Sequence, residues 1–175
     1  MSAPRLEINL HKIHHNASIL IQRLAARGIS VTAVTKATIG SPEIACILLN
    51  AGINTLGDSR IENIETMRRA GVAATMSLIR SPMLSHVARA VIYADISFNS
   101  ELEVIRGLSS AAQKAKRNHG VVLMVELGDL REGIMPGDLE QTVRELLSLP
   151  NLVLKGIGTN LACRSGVTPD DRNMT

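Results

Sequence analysis

Lys36 is the residue of this sequence best placed to do covalent chemistry. It ends the apolar run Val31–Lys36, a predicted strand, and precedes a loop that reaches Gly40. Parallel α/β proteins place their active sites at the carboxyl ends of the strands, so the amine of Lys36 is expected at that edge. A lysine partly desolvated there acts as a base or forms a Schiff base with a carbonyl group. The alternative is a strand-end lysine whose amine reaches into solvent.

Two turns that begin with glycine and contain charged residues also follow predicted strands. The turn Gly57–Glu62 could cap a helix and present backbone N–H groups to an anion, although most such turns only join a strand to a helix. The turn Gly128–Gly133 contains Arg131, whose guanidinium could bind a carboxylate or a phosphate. A solvated arginine paired with Glu132 is the competing interpretation.

A third polar turn, Gly156–Asn160, ends the last predicted strand. It lacks the third glycine of a dinucleotide-binding fingerprint and opens no helix, which excludes that motif. Thr159 and Asn160 could instead offer polar contacts to a ligand. Because all these turns follow parallel strands, we expect Lys36, the Gly57 turn, Arg131 and Asn160 to gather at one rim.

Histidine and cysteine do not suggest a metal site. His11 and His15 lie one turn apart on a predicted helix without a third ligand, which favours a solvated helix face, and no metal is predicted. Cys46 and Cys163 stand far apart, which argues against a zinc ribbon or a disulfide framework. No histidine follows Cys163 in the sequence, so a catalytic thiol is not favoured there.

The composition is that of a globular protein with a sizeable core: 175 residues, 45% hydrophobic and 20% charged. The net charge is +3, and the 19 basic and 16 acidic residues are scattered. Tyr93 and Phe98 are the only aromatic residues, so base stacking is almost unavailable, which argues against a nucleic-acid partner. Without a membrane-length apolar run or a signal-peptide core, the predicted location is the cytoplasm, away from membranes.

Short β-branched runs alternate with amphipathic stretches along the chain. Helices are predicted over His11–Arg27, Ser41–Ala51, Ser59–Ala70, Met83–Ile92, Ser100–Asn118 and Asp138–Leu149. Strands are predicted over Val31–Lys36, Asn54–Gly57, Thr75–Ile79, Asp95–Phe98, Val121–Leu127 and Leu152–Gly158. This alternation indicates an α/β protein with a parallel sheet covered by helices. An open doubly wound sheet and a TIM-type barrel both fit, although a barrel needs eight strands and about 250 residues.

Several motifs in one order resemble the pyridoxal-phosphate-dependent racemases of the alanine racemase type, a family of fold type III. The resemblance covers essentially the whole chain, and its later motifs are most similar to the branch of ornithine and broad amino-acid racemases. The motifs that carry it are Leu6–Asn16, Ala33–Ala37, Gly57–Glu62, Met67–Gly71, Leu78–Ser85, Gly128–Gly133 and Gly158–Cys163.

The resemblance implies a TIM-type barrel followed by a mostly β domain, assembled as a dimer that acts on a small amino acid. Lys36 would hold pyridoxal 5'-phosphate as the Schiff-base lysine and then abstract the α-proton of the substrate. Arg131 would lie near the cofactor and the substrate carboxylate as a second catalytic residue. Asp58, Thr159 and Asn160 would bind the cofactor, and Asn160 stands where alanine racemases have a histidine.

The chain is shorter than this family requires. With about six βα units, residues 1–175 are expected to be the N-terminal part of the barrel, without its last strands or the β domain, and to be inactive alone. An open barrel exposes edges and an apolar lumen, which predicts a homodimer or higher self-association. Two alternatives stay open: a single-domain pyridoxal-phosphate homeostasis protein, and a non-catalytic assembly or binding module.

Overall fold

A computed structural model describes residues 4–161 and 167–174 of the chain. Within these ranges, six strands form one parallel sheet in the order β1-β2-β3-β4-β5-β6. A doubly wound sheet reverses its strand order at a switch point, whereas this order follows the chain throughout. The predicted TIM-type winding is therefore confirmed. The barrel is incomplete in the described part of the chain, because β1 and β6 each pair on one side only.

The predicted α/β alternation is confirmed, with bounds that shift by up to four residues. The strands are β1 (Thr32–Val34), β2 (Thr55–Asp58), β3 (Thr75–Leu78), β4 (Ile96–Asn99), β5 (His119–Val125) and β6 (Leu152–Thr159). The helices are α1 (Leu10–Ala25), α2 (Pro42–Asn50), α3 (Ile61–Arg69), α4 (Val87–Tyr93), α5 (Leu102–Lys114), α6 (Leu139–Ser148) and the short α7 (Asp171–Met174). None of the helices in the described ranges has both the length and the apolarity to cross a membrane.

Side-chain caps fix the starts of the first two helices. The Asn9 side chain accepts a 3.0 Å hydrogen bond from the backbone N–H of Lys12. Ser41, followed by proline, caps α2 as its sequence predicts. The predicted start of a helix at Ser100 is wrong, because β4 continues through Asn99 and α5 begins only after Glu101.

The core lies between the sheet and the helices. One cluster includes Leu56 and Met76 of the strands with Ile64, Met67 and Leu108 of the helices, all fully buried. A second cluster joins β5 to α5 and α6. The opposite face of the sheet is less covered, particularly at β1, where Thr32 and Val34 are exposed. The helices therefore stabilise one face of the sheet, and the face toward the barrel axis stays accessible.

Candidate active site

Lys36 and Arg131 line the same cavity. Its volume is about 340 Å³. The lining residues are Lys36, Ser59, Ile79, Arg80, Arg131 and Glu132. They follow β1, β2, β3 and β5, so the cavity lies at the carboxyl edge of the sheet. The expected meeting of Lys36, the Gly57 turn and Arg131 at one rim is present in the structure.

The cavity carries an excess of positive charge. Lys36, Arg80 and Arg131 face a single carboxylate, that of Glu132. Glu132 accepts a long 3.4 Å contact from Arg131, and within the described ranges neither Lys36 nor Arg80 forms an ion pair. A primary amine beside two guanidinium groups suits an anionic ligand with an electrophilic carbon. The arrangement can therefore bind a carboxylate or phosphate and react covalently through the amine.

Asp58 lies beneath this cavity and does not line it. Its carboxylate is fully buried at the end of β2. Oδ2 accepts a 2.8 Å hydrogen bond from the Thr35 hydroxyl, and Oδ1 accepts from the Asn63 side chain at 3.0 Å and the Arg60 backbone N–H at 2.9 Å. These partners occupy both oxygens, so Asp58 ties the loop before Lys36 to the start of α3.

Lys36 itself begins a single 3₁₀ turn, Lys36–Thr38, two residues beyond the end of β1. The turn closes at Gly40, which has a left-handed φ of +64° and is buried against Asn63. A Cβ at Gly40 would lie 2.7 Å from the Cβ of Asn63. The close approach of Gly40 to Asn63 therefore fixes the position of the loop that begins at Lys36.

The Arg131 turn is organised by Glu126, which directly follows β5. The buried Glu126 carboxylate accepts hydrogen bonds from the backbone N–H groups of Gly128 and Leu130. Burial raises the pKa of Glu126, but these backbone N–H groups outweigh it and hold the pKa below its usual value. The carboxylate thus remains ionised inside the turn.

Thr159 and Asn160 are not among the residues that line the Lys36 cavity. The Thr159 hydroxyl donates a 2.9 Å hydrogen bond to the Val125 carbonyl and lies at a different cavity of about 380 Å³ with Leu127 and Leu139. Asn160 follows it and is half-buried. Contacts of these two residues with a cofactor stay predictions. Cys163 lies outside the described residues.

Arg80 is a member of the site that the sequence did not single out. It also lines a neighbouring cavity of about 460 Å³, which shares Ser59 with the first. The apolar residues around this second cavity are Ile61, Leu78, Pro82, Met83 and Val104. Arg80 follows β3 as Lys36 follows β1, so the carboxyl-edge rule alone was a sufficient signal for it.

Residues 8–174 match the family described as alanine racemase, N-terminal domain. The chain belongs to this family. The resemblance predicted from the motifs is thereby confirmed.

Two curated relatives match the chain almost from end to end. It is 37% identical to a lysine racemase of Thermotoga maritima over 97% of the chain and 47% of that protein. It is 35% identical to an ornithine racemase of Acetoanaerobium sticklandii over 98% of the chain and 48% of that protein. The chain thus spans about half the length of these relatives.

Solved structures agree with the fold of the alanine racemase N-terminal domain. An alanine racemase of Clostridium difficile 630 in complex with cycloserine superposes with a TM-score of 0.77 at 20% identity, covering 89% of this chain and 43% of that one. A D-threonine aldolase from Filomicrobium marinum gives 0.78 at 19% identity, covering the same shares. At these identities the agreement shows the barrel fold alone.

Proposed function

We propose that this chain carries the lysine-bearing half of a cytoplasmic pyridoxal-phosphate-dependent amino-acid racemase. The observation that carries the proposal is the shared cavity of Lys36 and Arg131 at the carboxyl edge of the sheet. The two relatives at 35–37% identity, both named as amino-acid racemases, support it.

The residues of the cavity fit pyridoxal 5'-phosphate chemically. Lys36 supplies the primary amine that its aldehyde needs, and Arg80 and Arg131 suit its negative charge. When bound, this cofactor serves as the electron sink that makes the α-proton of an amino acid removable. Both oxygens of Asp58 accept hydrogen bonds from protein donors, so we assign it the positioning of the Lys36 loop, and its direct contact with the cofactor stays a prediction.

The side chains around the cavity then supply proton transfer and substrate binding. Nζ of Lys36 accepts the α-proton from one face of the substrate. A guanidinium binds the substrate carboxylate and orients the α-carbon toward that amine, with Arg131 in this role and Arg80 as its neighbour.

The substrate class that fits is an amino acid with an aliphatic side chain longer than that of alanine. The second cavity adjoins the first through Ser59 and Arg80, and its apolar walls provide space for such a chain. The names of the lysine and ornithine racemases point in the same direction.

Residues 1–175 form one domain, the N-terminal part of the barrel, and act together with a second copy. We expect this chain by itself to bind the cofactor weakly and not to racemise. Two observations support this: the sheet is open at β1 and β6, and the chain spans about half the length of its relatives. Assays of D-amino-acid formation from L-lysine, L-ornithine and L-alanine test it directly, and turnover of any of them contradicts the inactivity.

Reduction with borohydride tests the cofactor site without requiring turnover. The chain is incubated with substoichiometric pyridoxal 5'-phosphate, reduced, digested and mapped by mass spectrometry. The phosphopyridoxyl group is expected mainly on Lys36, because only this amine lies in a cavity with two guanidinium groups.

The other four lysines provide internal controls in the same digest: Lys12, Lys114, Lys116 and Lys155. Lys36→Met is expected to remove the dominant labelled peptide and leave this background unchanged. Equal labelling of all five lysines would overturn the proposed function.

A further inference from the structure

The loop that carries Arg131 folds around one buried carboxylate. Oε1 of Glu126 accepts a hydrogen bond from the backbone N–H of Gly128 and a second, 3.1 Å long, from that of Leu130. Both donors precede Arg131 by at most three residues. These two bonds, together with a 3.3 Å hydrogen bond from the Arg131 backbone N–H to Oδ1 of Asp129, set the path of the chain into Arg131.

The far end of the loop returns to the same residue. The backbone N–H of Glu126 donates to the Ile134 carbonyl at 2.9 Å, and the N–H of Ile134 donates to the Met124 carbonyl at 2.7 Å. Gly133 adopts a φ of +138°, and a Cβ there would overlap the backbone of Glu126. The loop is therefore closed at its base by backbone contacts that involve Glu126.

Little packing holds the loop between these ends. Leu130 has a left-handed φ of +53° and is 87% exposed, so no apolar contact fixes it. The Arg131 side chain is mostly exposed, and its one ion pair within the described residues is with Glu132, at 3.4 Å. Two carboxylates then hold this conformation: that of Asp129, whose Oδ1 accepts a long 3.3 Å hydrogen bond from the Arg131 backbone N–H, and that of the buried Glu126. Glu126 is expected to contribute more, because it is buried and ionised and accepts two backbone N–H groups.

We propose that Glu126 is a positioning residue that holds Arg131 in the Lys36 cavity. Glu126 affects a bound ligand by positioning Arg131, and because the role of Arg131 belongs to the proposed function, the inference rests on that function. Glu126 does not line the cavity and touches no reacting atom.

A double-mutant cycle tests the proposal with the borohydride-fixed label on Lys36 as readout. The cofactor concentration for half-maximal labelling is measured for the wild type, Glu126→Ala, Arg131→Ala and the double variant. Each single variant is expected to raise that concentration roughly tenfold, because losing one charge-assisted hydrogen bond weakens binding by about this factor. The double variant is expected to be no worse than Arg131→Ala. Additive effects, or an unchanged value in Glu126→Ala, would overturn the proposal.

Two further variants separate positioning from general destabilisation. Glu126→Gln keeps a side-chain oxygen that accepts the same two N–H groups, so it is expected to stay within about threefold of the wild type. Glu140→Ala removes an exposed carboxylate on α6 that pairs only with Arg144 and is expected to change nothing.

Amide hydrogen exchange supplies a readout that does not depend on cofactor binding. In Glu126→Ala, residues 127–133 are expected to lose protection while β2 to β4 keep theirs. Unchanged protection of the loop contradicts the inference even if the wild type fails to label at Lys36. That labelling failure by itself would count against the proposed function alone.

Discussion

Oγ1 of Thr35 donates a 2.8 Å hydrogen bond to Oδ2 of Asp58, and this bond joins the residue before Lys36 to the carboxyl end of β2. The backbone N–H of Thr35 also donates to the Gly57 carbonyl at 2.9 Å. Lys36 itself is exposed. A buried polar network one residue away therefore positions the start of its loop.

Replacing Asp58 tests this network. Asp58→Ala is expected to lower the free energy of unfolding by about 2–4 kcal/mol, because it leaves the buried side-chain donor of Asn63 and the backbone N–H of Arg60 unpaired. It also leaves the Thr35 hydroxyl only its longer 3.3 Å bond to the Gly57 carbonyl. Asp58→Asn is expected to cost less, since the Thr35 hydroxyl can accept from an amide. Urea unfolding followed by circular dichroism measures both, and a loss below about 0.5 kcal/mol in Asp58→Ala would contradict the role.

Gly40 provides a second test of how the Lys36 loop is placed. Gly40→Ala adds a Cβ at 2.7 Å from that of Asn63, so the lysine loop or the start of α3 must move. The expected loss is about 2–4 kcal/mol, the sum of overpacking and a left-handed φ. Weaker cofactor labelling of Lys36 is expected to accompany it.

Gly28→Ala is the matched control for this substitution. Gly28 has a similar φ of +70°, but no atom lies within 4 Å of a Cβ placed there. Its cost is expected to be only the backbone strain, about 1 kcal/mol. Equal losses in the two variants would show that contact with Asn63 does not matter.

The sequence was sufficient to predict the alternation of elements and part of the site. The apolar periodicity and the glycines that follow the last helical turns predict the helices. The rule that active sites lie at the carboxyl ends of parallel strands predicts that Lys36 and Arg131 lie close together. The burial of the Asp58 carboxylate was not predictable in this way, because β2 extends through Asp58 and its partner Thr35 lies 23 residues away in the sequence. The bond of the Thr159 hydroxyl to the Val125 carbonyl of the neighbouring strand was not predictable either, and the contact of Thr159 with a cofactor stays a prediction. Such outcomes depend on tertiary register, which a local pattern does not encode.

His119 makes the stability of the domain depend on pH. Burial lowers the pKa of its imidazole to about 4, with a further contribution from the nearby Arg117 charge. In the unfolded chain the same ring binds a proton below its ordinary value of 6.5. The unfolded state then holds more protons, so the stability present above pH 6.5 is lost as the pH falls toward 4.

The expected loss from His119 between pH 7 and pH 5 is about 2 kcal/mol of unfolding free energy. His119→Gln removes the titration and can keep a bond to the Ser97 hydroxyl, which lies 2.8 Å from Nε2. Its stability is expected to be nearly flat over this range. His11→Gln, at an exposed position on α1, is the control and is expected to keep the wild-type slope, which urea titrations at several pH values will show.

The two unpaired sheet edges predict self-association of the chain. In the part of the chain that the structure describes, β1 pairs only with β2 and β6 only with β5, so each exposes a row of backbone donors and acceptors. Apolar side chains lie along these edges, with Val34 46% and Ile157 56% exposed.

We expect dimers or larger species in sedimentation velocity at micromolar concentration. Val34→Lys or Ile157→Lys is expected to shift the population toward monomer, since a charge at a sheet edge opposes strand pairing. Leu147→Lys changes an equally exposed apolar residue (66%) on α6 and is expected to leave association intact. A compact monomer at every concentration would show that the edges do not recruit a partner.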